Sequence, residues 1–369
     1  MVDEDKRATR EHSATQQLAG ALRTLRIVTT LSLVFGIMAM ALALLAINVA
    51  FHAPGGSSGN ATGNSTKMLA GFNVTGPLIQ PNLSSQGNPV ITQNQTFGSR
   101  LTDINAPLNA SELAVINNAQ NAYFEKAGEM LLNGSINNTV QASVKNVNPI
   151  TVNGKLSVVY LGSITCIFCG ENRWAMALAL SRFGNFTYLF KGYSSLGDQD
   201  VPTLYWSPAT YSDAGFTFGS FYNSRYINFI AMENTEPISQ GFSLQPFATM
   251  QQEVNATDNK AYIDAFHYIL ELNNFQGTPY TIWGNYQVGG ADAVVFGNST
   301  PQTNKLPLTY MTHNQVLAQL AAPRDQFSYS EYAAADLYVA MICKSMNNNA
   351  SVSACQLPAI QKIEQATGY

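Results

Sequence analysis

Charge is what this chain has least of. Asp, Glu, Lys and Arg together make up 11% of 369 residues, against about a quarter in an ordinary soluble protein. Its polar surface must therefore come from Asn, Ser, Thr, Gln and Tyr. Net charge is −4, and no basic cluster follows the first 26 residues, so nucleic acid is excluded as a partner. Cysteine and histidine are also scarce, four of each. They show no zinc-ligand spacing, so no metal site is expected. No phosphate loop, Ser–His–Asp arrangement or paired-carboxylate signature is present, and no cofactor is expected. The sequence contains no internal repeat.

Long apolar runs, by contrast, are present. Ile27 to Phe51 carries no charge in 25 positions, long enough for a helix to cross a hydrocarbon core of roughly 30 Å. Lys6, Arg7, Arg10, Arg23 and Arg26 precede this run, and the next basic residue is Lys67. The positive-inside rule then places the N-terminus in the cytoplasm and the rest of the chain outside the cell membrane. A cleaved signal is disfavoured by the length of the run and of its leader. Twelve Asn-X-Ser/Thr sequons lie between Asn60 and Asn349 and none precedes the span, which agrees with export and makes them glycan candidates.

The expected organisation is a cytoplasmic tail (1–26), a transmembrane helix (27–51) and a flexible linker rich in Gly, Ser, Asn and Thr (52–105). A helical lead-in follows (106–150), then an α/β domain (151–323) and a C-terminal helical segment (324–369). Apolar spacing predicts one helix from Ser111 to Leu132, capped by Asn109 or Ser111 and stopped by Asn133-Gly134. Strands are expected at Leu156–Leu161, Asn185–Phe190, Val201–Trp206 and Tyr226–Glu233. Helices are expected at Gly170–Phe183, Leu244–Glu253, Lys260–Asn273, Thr312–Ala321, Tyr332–Met346 and Leu357–Ala366.

The chemistry centres on Cys166-Ile-Phe-Cys169, which follows a buried strand and opens a helix. Two cysteines at this spacing close a disulfide with little backbone movement. Cys166 at the helix N-terminus gains from unpaired amides and the dipole, which favour thiolate, the attacking species in exchange. Cys169, one turn inward, resolves the mixed disulfide. The alternatives for such a pair are a structural disulfide or half of a zinc site. Far downstream, Thr278-Pro279 precedes a strand, a Gly-Asn turn and a second strand ending in Gly-Gly.

Strand, CxxC, helix, then Thr-Pro and a hairpin resembles the thioredoxin-like fold, particularly DsbA-like oxidoreductases. The resemblance implies a cis bond at Pro279 packed against the cysteine pair, with Thr278 and Pro279 forming the substrate platform. It also implies a large insertion, about 192–275, between the CxxC helix and the hairpin. The segment from Cys169 to Gly184, with Cys343 and Cys355 near the end, resembles a family of membrane-anchored proteins from archaea and actinobacteria known only as a domain of unknown function. That likeness implies a thioredoxin-like fold and a surface location, without an activity.

Two departures stand against the oxidoreductase pattern. Ile167-Phe168 replaces the Pro or His found between the cysteines of relatives, and the strand before the motif lacks a buried acid. Glu171 and Arg173 are read as solvent-facing. Cys343 and Cys355 read as a structural disulfide, with a redox relay pair as the alternative. His267, on an amphipathic helix, reads as a packed or half-exposed residue rather than a base, and His313 is expected in the first turn of the helix Thr312–Ala321. Two functions remain. One is an exported thiol–disulfide oxidoreductase acting on protein thiols or disulfides or with a membrane redox partner. The other is a non-catalytic surface protein whose CxxC bond is structural.

Overall fold

The centre of the structure is a nine-residue strand that is buried on both faces. A computed structural model of the chain describes residues 72–81, 83, 103–136, 144–194, 201–208, 216–234, 246–272, 278–289, 308 and 311–369. The expected transmembrane helix, 27–51, lies outside these residues, as does most of the linker. Among the described residues no helix is long and apolar enough to cross a membrane.

The strands are β1 (Phe72–Val74), β2 (Lys145–Asn146), β3 (Ile150–Val152), β4 (Lys155–Ser163), β5 (Asn185–Phe186), β6 (Phe190–Tyr193), β7 (Pro202–Tyr205), β8 (Phe216–Phe218), β9 (Tyr222–Asn223), β10 (Ile227–Asn234), β11 (Tyr280–Trp283) and β12 (Tyr286–Gly289). The helices are α1 (Ala110–Asn117), α2 (Asn121–Leu132), α3 (Ile167–Ser181), α4 (Pro246–Ala256), α5 (Lys260–Glu271), α6 (His313–Ala321), α7 (Gln326–Ser345) and α8 (Pro358–Thr367). The described fold is thus mixed α/β.

β4 organises the main sheet. β10 runs parallel to it from Ile227↔Leu156 to Asn234↔Ser163, and β11 runs antiparallel along Val158–Leu161. β12 returns beside β11, and β2 pairs with β12. β3 enters β4 through Asn153-Gly154, both at positive φ, the two-residue turn that suits the twist of a hairpin. Alternate β4 side chains enter different cores. Val158 and Tyr160 join α3 and α7 on one face. Val159 and Leu161 join Tyr262, Phe266 and Ile269 of α5 on the other. Burial on both faces is why this strand reads as a continuous apolar run.

Several sequence expectations shift. The single helix expected over Ser111–Leu132 is two. Asn109 and Glu112 form a capping box at the start of α1. At its end the Asn117 amide donates to Phe186 O (2.8 Å) and accepts from Phe186 N–H (3.0 Å), and α2 begins afresh at Asn121. The strand expected over Asn185–Phe190 is likewise two short pieces, β5 and β6, each pairing elsewhere. The stretch expected as insertion, about 192–275, supplies two strands to the main sheet: β10, directly beside the CxxC strand, and β8, paired with β10.

The β11–β12 hairpin is pinned from below. Gly284 turns at φ 66°, and Ser345 of α7 occupies the space a Cβ would need there. The Ser345 hydroxyl accepts from Asn285 N–H at 2.8 Å. Two residues earlier, Cys343 is bonded to Cys355 in a disulfide, both sulfurs buried, which ties the end of α7 to the 3₁₀ turn Ser353–Gln356. Closing this short loop restricts the unfolded chain by about 3 kcal/mol on the chain-entropy view. Cys343→Ala/Cys355→Ala is expected to lower the thermal midpoint by several degrees in a calorimetric scan; an unchanged midpoint would refute a stabilising role for the bond.

Candidate functional site

Helix α3 starts where β4 ends. Cys166 is the N-cap residue, in extended conformation, and its sulfur accepts the Cys169 backbone N–H at 3.5 Å. Both cysteines are thiols in the structure. Cys166 is 5% exposed and Cys169 is fully buried. The Thr278–Pro279 peptide is cis. It delivers the Thr278 carbonyl to the mouth of the helix, where the Cys166 thiol donates to it at 3.5 Å. Residues 112 positions apart in sequence thus meet at one sulfur, because β11 continues from Pro279 along β4, the strand that feeds the cysteines.

The inner sulfur has its own surroundings. Ser163 N–H donates to Cys169 Sγ at 3.4 Å. Burial pushes the Cys169 thiol well up, with a further push from Cys166 and an opposing pull from the charge of Arg173. Arg173 is not solvent-facing, contrary to the reading from sequence. It is fully buried and its donors are satisfied on several sides. Nε donates to Glu233 Oε1 (2.8 Å), Nη2 to Ser163 O (2.8 Å) and also to Glu233, and Nη1 to Thr203 Oγ1 (3.3 Å). The guanidinium lies between the rings of Tyr160 and Tyr205, 5.8 and 5.7 Å from their centroids. Burial opposes charge on Arg173, but Glu233 foremost, together with Tyr160 and Cys169, outweighs it and holds the guanidinium above its ordinary range. A buried acid is therefore present near the site, on β10 rather than on the strand before the motif.

Glu171 is also buried, not solvent-facing. It meets Glu331 of α7 across the helix pair. Burial, then Glu331, then Cys166 push the Glu171 carboxyl well up. Burial pushes Glu331 up to about 8, with the Ala175 backbone opposing. Asp336, further along α7, is buried with neither carboxyl oxygen hydrogen-bonded, and burial raises it too. Helical spacing alone could not find these acids, because it does not say that α3 is covered on all sides.

The remaining candidates lie elsewhere. Cys343 and Cys355 belong to the end of α7 and the turn after it. His267 is exposed and contacts the Gln251 side chain. His313 is buried, with Nε2 2.8 Å from Gly192 O and 2.9 Å from Thr203 O, so it staples the β6–β7 hairpin. Its Nδ1 faces Asp103 Oδ2 at 3.4 Å, and this pairing with His313 holds Asp103 below its usual range, against burial. Among the described residues no cluster of three or more His, Cys, Asp or Glu could hold a metal ion.

Residues 141–344, more than half of the chain, match the family described as Domain of unknown function (DUF929). The chain belongs to the DUF929 family. No curated protein and no solved structure matches it. The DUF929 segment takes in β4, the CxxC helix, Arg173, Glu233 and the Thr278–Pro279 loop, and it ends between Cys343 and Cys355.

The buried acids of this DUF929 chain give stability a definite dependence on pH. Glu171, Glu331 and Asp336 keep protons in the folded state that the unfolded chain has already released above the ordinary carboxylate range. Stability therefore falls as pH rises from about 4.5 towards about 8. The thermal midpoint is expected to be higher at pH 5 than at pH 8, and Glu331→Gln should flatten that slope. Midpoints independent of pH across this window, or an unaltered slope in the variant, would contradict neutral burial.

Proposed function

We propose that this protein is a membrane-anchored, extracytoplasmic thiol–disulfide oxidoreductase of thioredoxin-like, DsbA-like type. The observation that carries the reading is the contact of Cys166 Sγ with the Thr278 carbonyl at 3.5 Å. Of the elements on which the resemblance rests, the strand and the hairpin join in one sheet around β4, and the CxxC helix and the Thr-Pro loop meet at its end. The uncharged run 27–51 and the basic residues before it support the anchor and its orientation.

The chemistry follows from the placement of the two sulfurs. Cys166 loses its proton and its thiolate attacks a substrate disulfide. A bond forms between Cys166 and one substrate sulfur, and the other leaves as thiolate. Helix amides, including the N–H of Cys169, support the charge on Cys166. Cys169 then loses its proton and attacks the Cys166 sulfur. The Cys166–Cys169 disulfide forms, and the second substrate sulfur leaves with the bonding electrons. The reverse sequence oxidises a dithiol. An extended substrate segment would lie along the Thr278–Pro279 backbone.

A second reading keeps support from one observation. Cys166 is only 5% exposed, which suits a non-catalytic surface protein whose cysteine pair closes a structural bond. Redox titration of the full-length protein with differential alkylation separates the two. A reversible midpoint among biological thiol couples is expected for exchange, whereas resistance to reduction below about −300 mV marks a structural bond. Cys166→Ser should abolish disulfide reductase or oxidase activity, and Cys169→Ser should trap a mixed disulfide. Activity retained by Cys166→Ser would defeat the mechanism.

A further inference from the structure

We infer that Arg173 is a positioning residue for Cys169: it turns the positive end of a buried ion pair towards the resolving sulfur and supports the thiolate that breaks the mixed disulfide. The inference rests on the exchange reading above and adds to it the device that makes the second step workable.

Resolution is the difficult half of the reaction. Cys166 sits at a helix N-terminus, where backbone amides stabilise an anion. Cys169 is one turn inside and fully buried, out of reach of the bulk solvent that would stabilise a negative sulfur. Burying an anion without a partner is costly, and a thiol so placed stays protonated. Something near Cys169 must supply positive potential if it is to attack.

Arg173 is four residues after Cys169 on the same helix. Side chains at i and i+4 share a face, and long side chains lean back towards the preceding turn. The hydrogen bonds show where the guanidinium goes. Nη2 holds the carbonyl of Ser163 at 2.8 Å, and the N–H of the same Ser163 points at Cys169 Sγ at 3.4 Å. Guanidinium and sulfur are thus linked through one residue at the end of β4. Glu233, on β10, binds Nε and Nη2. It makes the buried cation tolerable, since a lone buried charge is strongly destabilising.

The guanidinium holds the residue whose N–H reaches the sulfur, whereas Glu233 is bound on its Nε and Nη2. Arg173 pulls the Cys169 thiol downward, against burial. The other titratable groups facing the sulfur are Cys166, at the start of the same helix, and Tyr160 of β4, whose own hydroxyl is pushed up by burial first. From β7 come only the Thr203 hydroxyl and the Tyr205 ring, both engaged with Arg173. Arg173 is the cation among the described groups acting on the inner sulfur. A guanidinium suits the task, because its rigid fork reaches carboxylate, carbonyl and hydroxyl at once and does not lose its proton.

The test uses reduced, full-length protein and dithiobis-nitrobenzoate, followed by absorbance over a range of pH. In the first phase Cys166 attacks the reagent and releases one thionitrobenzoate. In the second, Cys169 attacks the mixed disulfide, releases the other thionitrobenzoate and closes Cys166–Cys169. Two thiols lose two protons, and the reagent takes up two electrons. Arg173→Met is expected to slow the second phase about tenfold at pH 7.5 and to move its pH midpoint upward by about one unit, the shift that a tenfold change in thiolate corresponds to. The first phase should change less than twofold. Glu233→Gln leaves the cation less compensated and is expected to move the second-phase midpoint the opposite way, downward. A purely structural ion pair would instead impair both variants in the same direction, and that result, or two unshifted midpoints, overturns the inference. If circular dichroism shows that Arg173→Met does not fold, Glu233→Gln decides alone, and an unshifted or raised midpoint rejects the proposal. A first phase absent from the unaltered protein would instead strike at Cys166 as nucleophile, and so at the exchange reading itself.

Discussion

Desolvation of helix α3 is the constraint from which the rest of the site follows. Fourteen of its fifteen residues are buried, Phe168 being the exception. A helix covered on all sides is ordinarily apolar all round, yet this one carries Glu171, Asn172, Arg173 and Ser181. Each buried polar group needs a partner or must shed its charge. Arg173 finds Glu233, Thr203 and Ser163. Asn172 accepts from Tyr338 at 2.6 Å, Trp174 donates to Pro202 O at 3.0 Å, and Ser181 bonds back to Leu178 O at 2.7 Å. Glu171, with another carboxyl as its neighbour rather than a cation, stays protonated. The helix is therefore fixed in rotation by partners on β4, β7, β10 and α7, and that rotation aims the two sulfurs.

The same constraint sets the outer boundary of the site. Gly170 follows Cys169, and the Thr203 hydroxyl donates to its carbonyl at 2.7 Å. A Cβ at Gly170 would stand 3.0 Å from Val201, so the first turn of α3 packs close against β7. His313 holds the carbonyls of Gly192 and Thr203 from the other side of that hairpin. A chain of short contacts thus runs from α6 through β7 to the residues beside Cys169. None of it belongs to the β4 sheet, and all of it lies in the DUF929 segment.

Much of this arrangement was legible in the sequence, and the part that was not has a physical reason. The buried strand, the CxxC helix and the Gly284-Asn285 hairpin follow from local signals, since each is dictated by apolar run length, turn chemistry or a fixed spacing, whereas the cis Thr278–Pro279 bond was expected from the resemblance alone. The pairing of β10 with β4 was not legible. Tyr226–Glu233 reads as a strand in isolation, but its partner depends on the return of the chain across seventy residues, which no local pattern encodes. Arg173 and Glu233 were missed for a related reason. A charged residue on a helix is normally solvated, and only the covering of α3 by the sheet and α7 reverses that expectation. The i, i+4 spacing of Cys169 and Arg173 was the one available signal. The split of Ser111–Leu132 into two helices likewise turns on tertiary contacts, Asn117 with Phe186 and Arg182 with Ala119 O and Asn121.

The two buried charge systems flanking α3 suit different sulfurs. Arg173 stands with Cys169, where water and helix amides are lacking and positive potential has to be supplied by a side chain. Glu171, with Glu331 as its neighbour, stands on the side of Cys166, where an ionised carboxylate opposes the thiolate through like-charge repulsion. Burial raises both carboxyls, Glu331 to about 8, which favours their neutral forms and leaves the field at Cys166 to the helix terminus. Burying acids thus weakens the fold as pH rises, and the same neutrality prevents them from cancelling the helix end. Stability and thiol reactivity are coupled through one cause, the exclusion of water from around a single helix.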